Sequence, residues 1–211
     1  MNADLFLVDN SENQAFHKGI QNLGYDCRHI KPAGREARVY MAEATDLCRK
    51  KALVDGYEYL FLLECDIFPP YAVIEMLLTQ QKDVVGACYW TGHGDDTRMQ
   101  LRKLVKVGRD QYLNKDYTLE EAFHFIDGSC KTVYANGNGC ILIHRDVLEK
   151  ITFHINESEI GFADNFFHTD LVNLHIKNYV DTSIRLQHYN LDWNIVIDNA
   201  KQLTREKNNT R

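Results

Sequence analysis

Several features that would place a protein quickly are missing from this chain of 211 residues. Its longest apolar stretch, Tyr59-Leu60-Phe61-Leu62-Leu63, is far shorter than the roughly 20 residues of a membrane-crossing helix. The start, Met1-Asn2-Ala3-Asp4, lacks the basic-then-apolar layout of a secretory leader. Together these give the expectation of a soluble, cytoplasmic protein without a transmembrane segment. No basic run exceeds Arg49-Lys50-Lys51, and the formal net charge is -6, which argues against affinity built on neutralising nucleic-acid phosphates. The six cysteines include no CxxC pair, so neither a zinc ribbon nor a dense disulfide framework is legible, and reduced, mostly buried thiols are expected. There is no internal repeat.

What is present suits one globular domain: 45% of residues are apolar and 26% charged. The expected domain covers 1–204, with a polar, frayed tail at 205–211. Strand-like and helix-like segments alternate from residue 4. Asp4-Leu5-Phe6-Leu7-Val8 reads as a buried strand, followed by a helix to about Leu23 and a second strand over 25–30. The spacing of Val39, Ala42, Leu47, Ala52 and Leu53 predicts a helix over 36–54. The continuous apolar run 59–63 reads as a strand covered on both faces. Pro69-Pro70 opens a further helix, which stops before a strand at 83–87. This alternation predicts an α/β fold, a single layered domain with a mostly parallel central sheet flanked by helices and ligands beyond the strands' carboxyl ends. The rhythm breaks over 91–131, read as an insertion or lid-like region. Beyond it come a strand at 139–143, a short helix from Arg145, a helix over 164–177 and a strand over 179–186.

The chemistry-bearing candidate is Glu64-Cys65-Asp66, directly after the buried strand. Strand alternation would turn both carboxylates to one face, where they repel unless a cation lies between them. A hard divalent ion shared with a diphosphate is the natural partner, since magnesium and manganese favour carboxylate plus substrate phosphate. The plain alternative is two solvated carboxylates in a surface turn.

The ordered segments DLFLVDNS (4–11), YEYLFLLECDIFPP (57–70) and KDVVGACY (82–89) resemble the family-2-like glycosyltransferases of the A-type fold, especially compact phage and archaeal members. The resemblance extends through Asn136-Gly137-Asn138-Gly139, Ala163-Asp164 and the closing strand up to His188. It implies a hexosyltransferase-like enzyme that uses a divalent cation, Mn2+ or Mg2+, to transfer a sugar from a nucleotide-diphosphate donor, with inversion, to an unidentified acceptor hydroxyl. Host cytoplasm is the expected location for a viral source. Asp66, Glu64 and His188 are the implied metal ligands, and Asp9, Glu64 and Asp66 the donor-binding residues. His188 would tilt the ion toward manganese. Gly137 and Gly139 are placed on the acceptor side, although a tight turn would also need them. Asp164 is the implied general base, because displacing a nucleotide diphosphate is easier when a carboxylate takes the acceptor's proton; a helix N-cap is the competing role for it. Asn10 and Ser11 could cap the helix after Asp9.

Two departures stand out. Relatives carry a strand and helix before the DLFLVDNS-like strand, so the fold is expected to be truncated at its N-terminus, with a second copy or a partner completing the donor site. Relatives also carry an Arg-Asn pair near the position of Thr45-Asp46, for which Arg35 or Arg38 would substitute. The alternative function is a catalytically degenerate carbohydrate- or nucleotide-binding homologue. A nucleotidyltransferase would need a Gly-rich basic loop near the amino terminus, and none is found.

Overall fold

A computed structural model describes residues 3–92, 96–109 and 111–189. The expected tail at 205–211, the end of the expected domain at 190–204, and His93 lie outside these residues. The described residues form two compact units, one within 1–60 and 144–174, the other within 61–143 and 175–211.

In the first unit, β1 (Phe6–Asp9) and β2 (Asp26–His29) pair in parallel, with Asp9 opposite His29. The helix α1 (Ala15–Asn22) joins them, a crossover of the kind that parallel pairing requires. Gly24 follows at φ 87, the left-handed geometry that ends a helix at little cost for glycine alone. The long helix α2 (Ala37–Val54) packs on β1 and carries α5 (Arg145–Leu148) and α6 (Ala163–Asn173). Asp46 is a node of this packing. Its carboxylate receives Arg49 at 2.6 Å, Lys50 at 2.9 Å and the Phe153 amide at 3.3 Å, while Arg49 also donates to the Leu148 carbonyl. Burial alone would raise the Asp46 pKa, but the hydrogen bonds from Arg49 and Lys50 outweigh it and hold the group below its usual range. Asp46→Asn should therefore cost about 2–3 kcal/mol at neutral pH, most of it from Arg49, since the Lys50 ammonium is well exposed. Because the folded pKa lies below the unfolded one, this stabilisation is complete above pH ~4 and fades as pH falls through the folded value. Urea unfolding of both proteins between neutral and acidic pH checks this, and the difference should shrink with acid.

The second unit is built on a mixed sheet of order β10-β12-β5-β11-β3. Its strands are β3 (Tyr59–Leu63), β5 (Val84–Cys88), β10 (Cys130–Val133), β11 (Cys140–His144) and β12 (Asn178–Arg185). β12 runs parallel to β5, but β11 is antiparallel to β5 and β10 antiparallel to β12. The expectation of a mostly parallel sheet is thus corrected. The strand-helix rhythm reports crossovers only as far as β5, whereas β10 and β11 are joined by residues 134–139 with no helix between them. Nor is there one continuous sheet: the described strands also form four two-stranded sheets. The helix α3 (Val73–Thr79) starts three residues after Pro70 and packs on β5 and β12. Before it comes β4 (Ile67–Phe68), which pairs antiparallel with β13 (Gln187–His188).

The described residues of 91–131 include regular elements. They comprise a hairpin of β6 (Trp90–Thr91) and β7 (Arg98–Met99), a second of β8 (Arg102–Lys106) and β9 (Tyr112–Asp116), and α4 (Leu119–Phe125). α4 begins with a capping box in which Thr118 and Glu121 exchange side-chain and backbone hydrogen bonds. Met99, Leu101 and Ala122 of this region are buried in one cluster with Cys88, Trp90, Val133 and Val180, while β9 is exposed along its length. All six cysteines are free, and burial pushes the Cys88 and Cys140 thiols up to about 12.

Candidate functional site

The acid triplet occupies a turn. The Glu64 carbonyl accepts from the Ile67 amide at 3.2 Å, so the chain reverses immediately after β3. Strand alternation therefore ends at Leu63 and does not by itself set where the two carboxylates point. The β4–β13 ladder places Asp66 instead: His188 lies opposite Ile67, and the Tyr189 amide donates to the Asp66 carbonyl at 2.8 Å. His188 Nε2 then stands 3.3 Å from Asp66 Oδ2. The His188 side chain is only 16% exposed and that of Asp66 is 46%, so the pair has a shielded member and a solvent-facing one. Two of the three implied ligands, from segments more than 100 residues apart, are thereby brought together.

Tyr89, buried at the end of β5, organises the surroundings. Its ring stacks on that of His188 with centroids 6.2 Å apart and planes within 6°. Its hydroxyl accepts from the Gly139 amide at 3.3 Å. Sequence reasoning passed over Tyr89, and its only signal was its place directly after the KDVVGAC strand. Gly137 and Gly139 are both required by this packing. A Cβ on Gly137, where φ is 65, would sit 2.5 Å from the Tyr89 hydroxyl and 2.7 Å from Gln100 Cγ. One on Gly139 would meet the same hydroxyl at 2.7 Å and Glu64 Oε2 at 3.0 Å. The Glu64 amide donates to the Gly139 carbonyl at 2.9 Å, so the first acid is anchored to the glycine loop through its backbone. The loop itself is held by Asn136, which donates to the Tyr179 carbonyl and accepts from Asn178.

The donor set is limited. Among the described residues, no group of three or more His, Cys, Asp and Glu side chains is arranged to hold a metal ion. Asp66 and His188 provide one hard oxygen and one imidazole nitrogen. Such a pair suits an ion that takes its remaining ligands from a phosphate-bearing substrate and water.

The remaining candidates belong to the first unit. Asp9, 7% exposed at the carboxyl end of β1, accepts from the Ser11 amide and hydroxyl on Oδ1 at 3.0 and 2.6 Å. Its Oδ2 has no hydrogen-bond partner, and His29 Nε2 is 4.0 Å away. Neither Asn10 nor Ser11 caps α1, which begins at Ala15 with Asn13 accepting from the Ala15 amide. Asp164 lies in the first turn of α6, one residue inside the helix and not at its N-cap, which is Phe162. There it stands at the positive end of the helix dipole. Arg35 is tied to Glu43 at 2.7 Å, and Arg38 to Glu36 and the Asn156 and Glu159 carbonyls.

No family model matches the chain, and no curated protein is significantly similar to it. Solved structures do share its fold. The A197 protein from STIV is 17% identical, with 89% of this chain and 84% of that one covered at a TM-score of 0.50. GalNAc-T7, crystallised with UDP, GalNAc and Mn2+, is 13% identical at a TM-score of 0.53. This chain spans 37% of the GalNAc-T7 chain, with 88% of its own length covered. The chain is thus a mixed α/β fold shared with these two proteins. No helix among the described residues is long and apolar enough to cross a membrane.

Proposed function

We propose that the chain is a glycosyltransferase that takes a sugar from a nucleotide-diphosphate donor with the help of a divalent cation, Mn2+ or Mg2+. The observation that carries this reading is the pairing of Asp66 with His188 immediately beyond the carboxyl end of β3. In α/β folds, ligands bind beyond the carboxyl ends of the strands. Asp66 and His188 would hold the ion, and Glu64, anchored beside Gly139, would serve the donor from the same turn. A cation held there would supply charge to the leaving diphosphate, where negative charge develops as the bond between the anomeric carbon and the phosphate oxygen breaks. Tyr89 keeps His188 in one orientation and so removes the cost of ordering it when the donor arrives. Asp9 is assigned to the nucleoside part of the donor, because its Oδ2 is buried and still able to accept a hydrogen bond. Asp164 is assigned the base that takes the acceptor proton in an inverting transfer.

Thermal shift and donor hydrolysis, measured with manganese against a panel of nucleotide sugars, test the reading directly. At least one nucleotide sugar should raise the melting temperature in the presence of the metal. Failure of every donor to do so, with and without manganese, would sink it. Asp164→Ala should leave donor binding within about twofold of the parent and reduce turnover by roughly 10²–10⁴-fold, the usual range for a general base. Full turnover in that variant would remove Asp164 from the mechanism.

The limited donor set favours one second reading. With two protein ligands and an imidazole facing a carboxylate at 3.3 Å, the same site could bind a nucleotide or carbohydrate without turnover. Donor binding that is unaffected by chelating the metal, and unaccompanied by hydrolysis, would select it.

A further inference from the structure

The β8–β9 hairpin has properties that the donor site does not use. Between Arg102 and Asp116 the sequence has Arg102, Lys103, Lys106, Arg109 and Lys115 against Asp110 and Asp116, a basic segment in a chain of net charge -6. Arg102 pairs with Asp116, and Lys103 with Glu121. Lys106, Arg109 and Lys115 are left with no ion pair among the described residues. At the same end of the hairpin, Val107, Tyr112 and Leu113 are each at least half exposed, and β9 is exposed along its whole length.

The register sorts these side chains. Tyr112 stands opposite Lys106 and Leu113 opposite Val105, with Lys115 two residues further along the face of Leu113. Each face of the tip thus combines an apolar side chain with a long cationic one. Lys stems lie along apolar surface while their ammonium groups reach for polar surroundings, the arrangement found at a membrane interface.

The geometry points to the tip of the β8–β9 hairpin as a docking element for an anionic lipid bilayer, with Val107, Tyr112 and Leu113 entering the interface and Lys106, Arg109 and Lys115 on the headgroups. A second copy of the chain is disfavoured, because a two-fold contact through this tip would set like charges against each other. Single-stranded nucleic acid would want several stacking faces, and the tip offers one aromatic ring beside aliphatic Val107 and Leu113. The inference is independent of the transferase reading, since it concerns where the protein sits and not what it turns over.

Cosedimentation of the full chain with vesicles tests it, comparing phosphatidylcholine alone with phosphatidylcholine containing phosphatidylglycerol. Binding should require the anionic lipid and weaken as salt is raised. Lys106→Glu with Arg109→Glu should reduce partitioning by about thirtyfold or more, at about fivefold for each cation lost. Val107→Ser with Leu113→Ser should reduce it by about tenfold while the charge is unchanged. All of these positions are exposed, so both variants should keep the parent's melting temperature, and the effect can be read without loss of fold. Equal binding to both vesicle types, binding to neither, or indifference to both double variants would overturn the proposal. So would concentration-dependent self-association that the charge variant abolishes, or tighter binding to an oligonucleotide than to the anionic vesicles.

Discussion

Replacing Asp66 by alanine should abolish manganese-dependent stabilisation by a nucleotide sugar while leaving the unliganded protein's melting temperature nearly unchanged. The two halves of this expectation come from different atoms of one residue. The backbone carbonyl of Asp66, not its carboxylate, receives the Tyr189 amide that helps close the β4–β13 ladder. The side chain is nearly half exposed, and its neighbour is His188. Deleting the carboxylate thus removes an anionic ligand without opening the ladder, and a surface change of this kind typically alters stability by no more than about 0.5 kcal/mol. Losing an outer-shell partner usually costs ten- to hundredfold in metal affinity, so losing a direct carboxylate ligand should cost at least about a hundredfold. Calorimetric titration of donor in the presence of manganese measures the effect. An unchanged affinity would mean that the donor is held elsewhere.

The largest stability effect is expected in the sheet and not in the turn. Gly86→Ala should destabilise the protein by about 3–5 kcal/mol, a large part of the 5–15 kcal/mol typical of a folded domain. A Cβ at Gly86 would fall 2.2 Å from Asn136 Nδ2 and 3.0 Å from the Cys140 carbonyl. The carbonyl belongs to the neighbouring strand β11 and cannot retreat cheaply, so Asn136 would have to move. Its two hydrogen bonds, to Tyr179 and from Asn178, would then break in a site where Asn136 is 1% exposed. Each buried polar group left unsatisfied costs about 1–3 kcal/mol, and overpacking adds a similar amount. Gly19→Ala is the matched control: it sits within α1 with nothing within 4 Å of a new Cβ, and should be neutral or stabilising by up to about 1 kcal/mol. Equal urea midpoints for the two variants would show that Asn136 is not the constraint. Because Asn136 leads into the Gly137 and Gly139 loop, any Gly86→Ala protein that folds should also bind donor more weakly.

Legibility in the sequence followed local patterning. β3 matches the apolar run 59–63, α2 begins one residue after the expected start and ends where expected, and β5 is offset by one residue. β5 is buried throughout and α2 shows helical periodicity, whereas β3, an unbroken apolar run, lies at the edge of the sheet and is only partly buried with Leu63 exposed, so the expected cover on both its faces is corrected. Strand direction leaves no such local signal, which is why the sheet's antiparallel members were unforeseen: a strand antiparallel to its neighbour carries the same apolar run as a parallel one. The region 91–131 resisted reading because its strands are short and its helix has only seven residues, too few for periodicity to register. Its capping box, Thr118 to Glu121, was the one local signal available there. At the site, the acid triplet was visible as residue types, but the turn and the β4–β13 ladder that set Asp66 against His188 depend on residues far apart in the chain. The same holds for Tyr89, whose hydroxyl and ring touch Gly139 and His188 only after folding.

The strand order of the central sheet also bears on how the protein reaches its native state. In β10-β12-β5-β11-β3, no two neighbours are consecutive in the chain. No pair of adjacent strands can zip as a local hairpin, and every contact must first close a long loop, which slows folding at a given stability. Synthesis runs from the amino end, and β5 must wait for β12 at 178–185 before its parallel partner exists. Until then the Val84-Val85-Gly86-Ala87-Cys88 strand, fully buried in the finished protein, is without that partner. A nascent chain that pauses before β12 emerges therefore presents this apolar strand to other chains, and its yield in a cell depends on elongation speed and on chaperones that cover that strand.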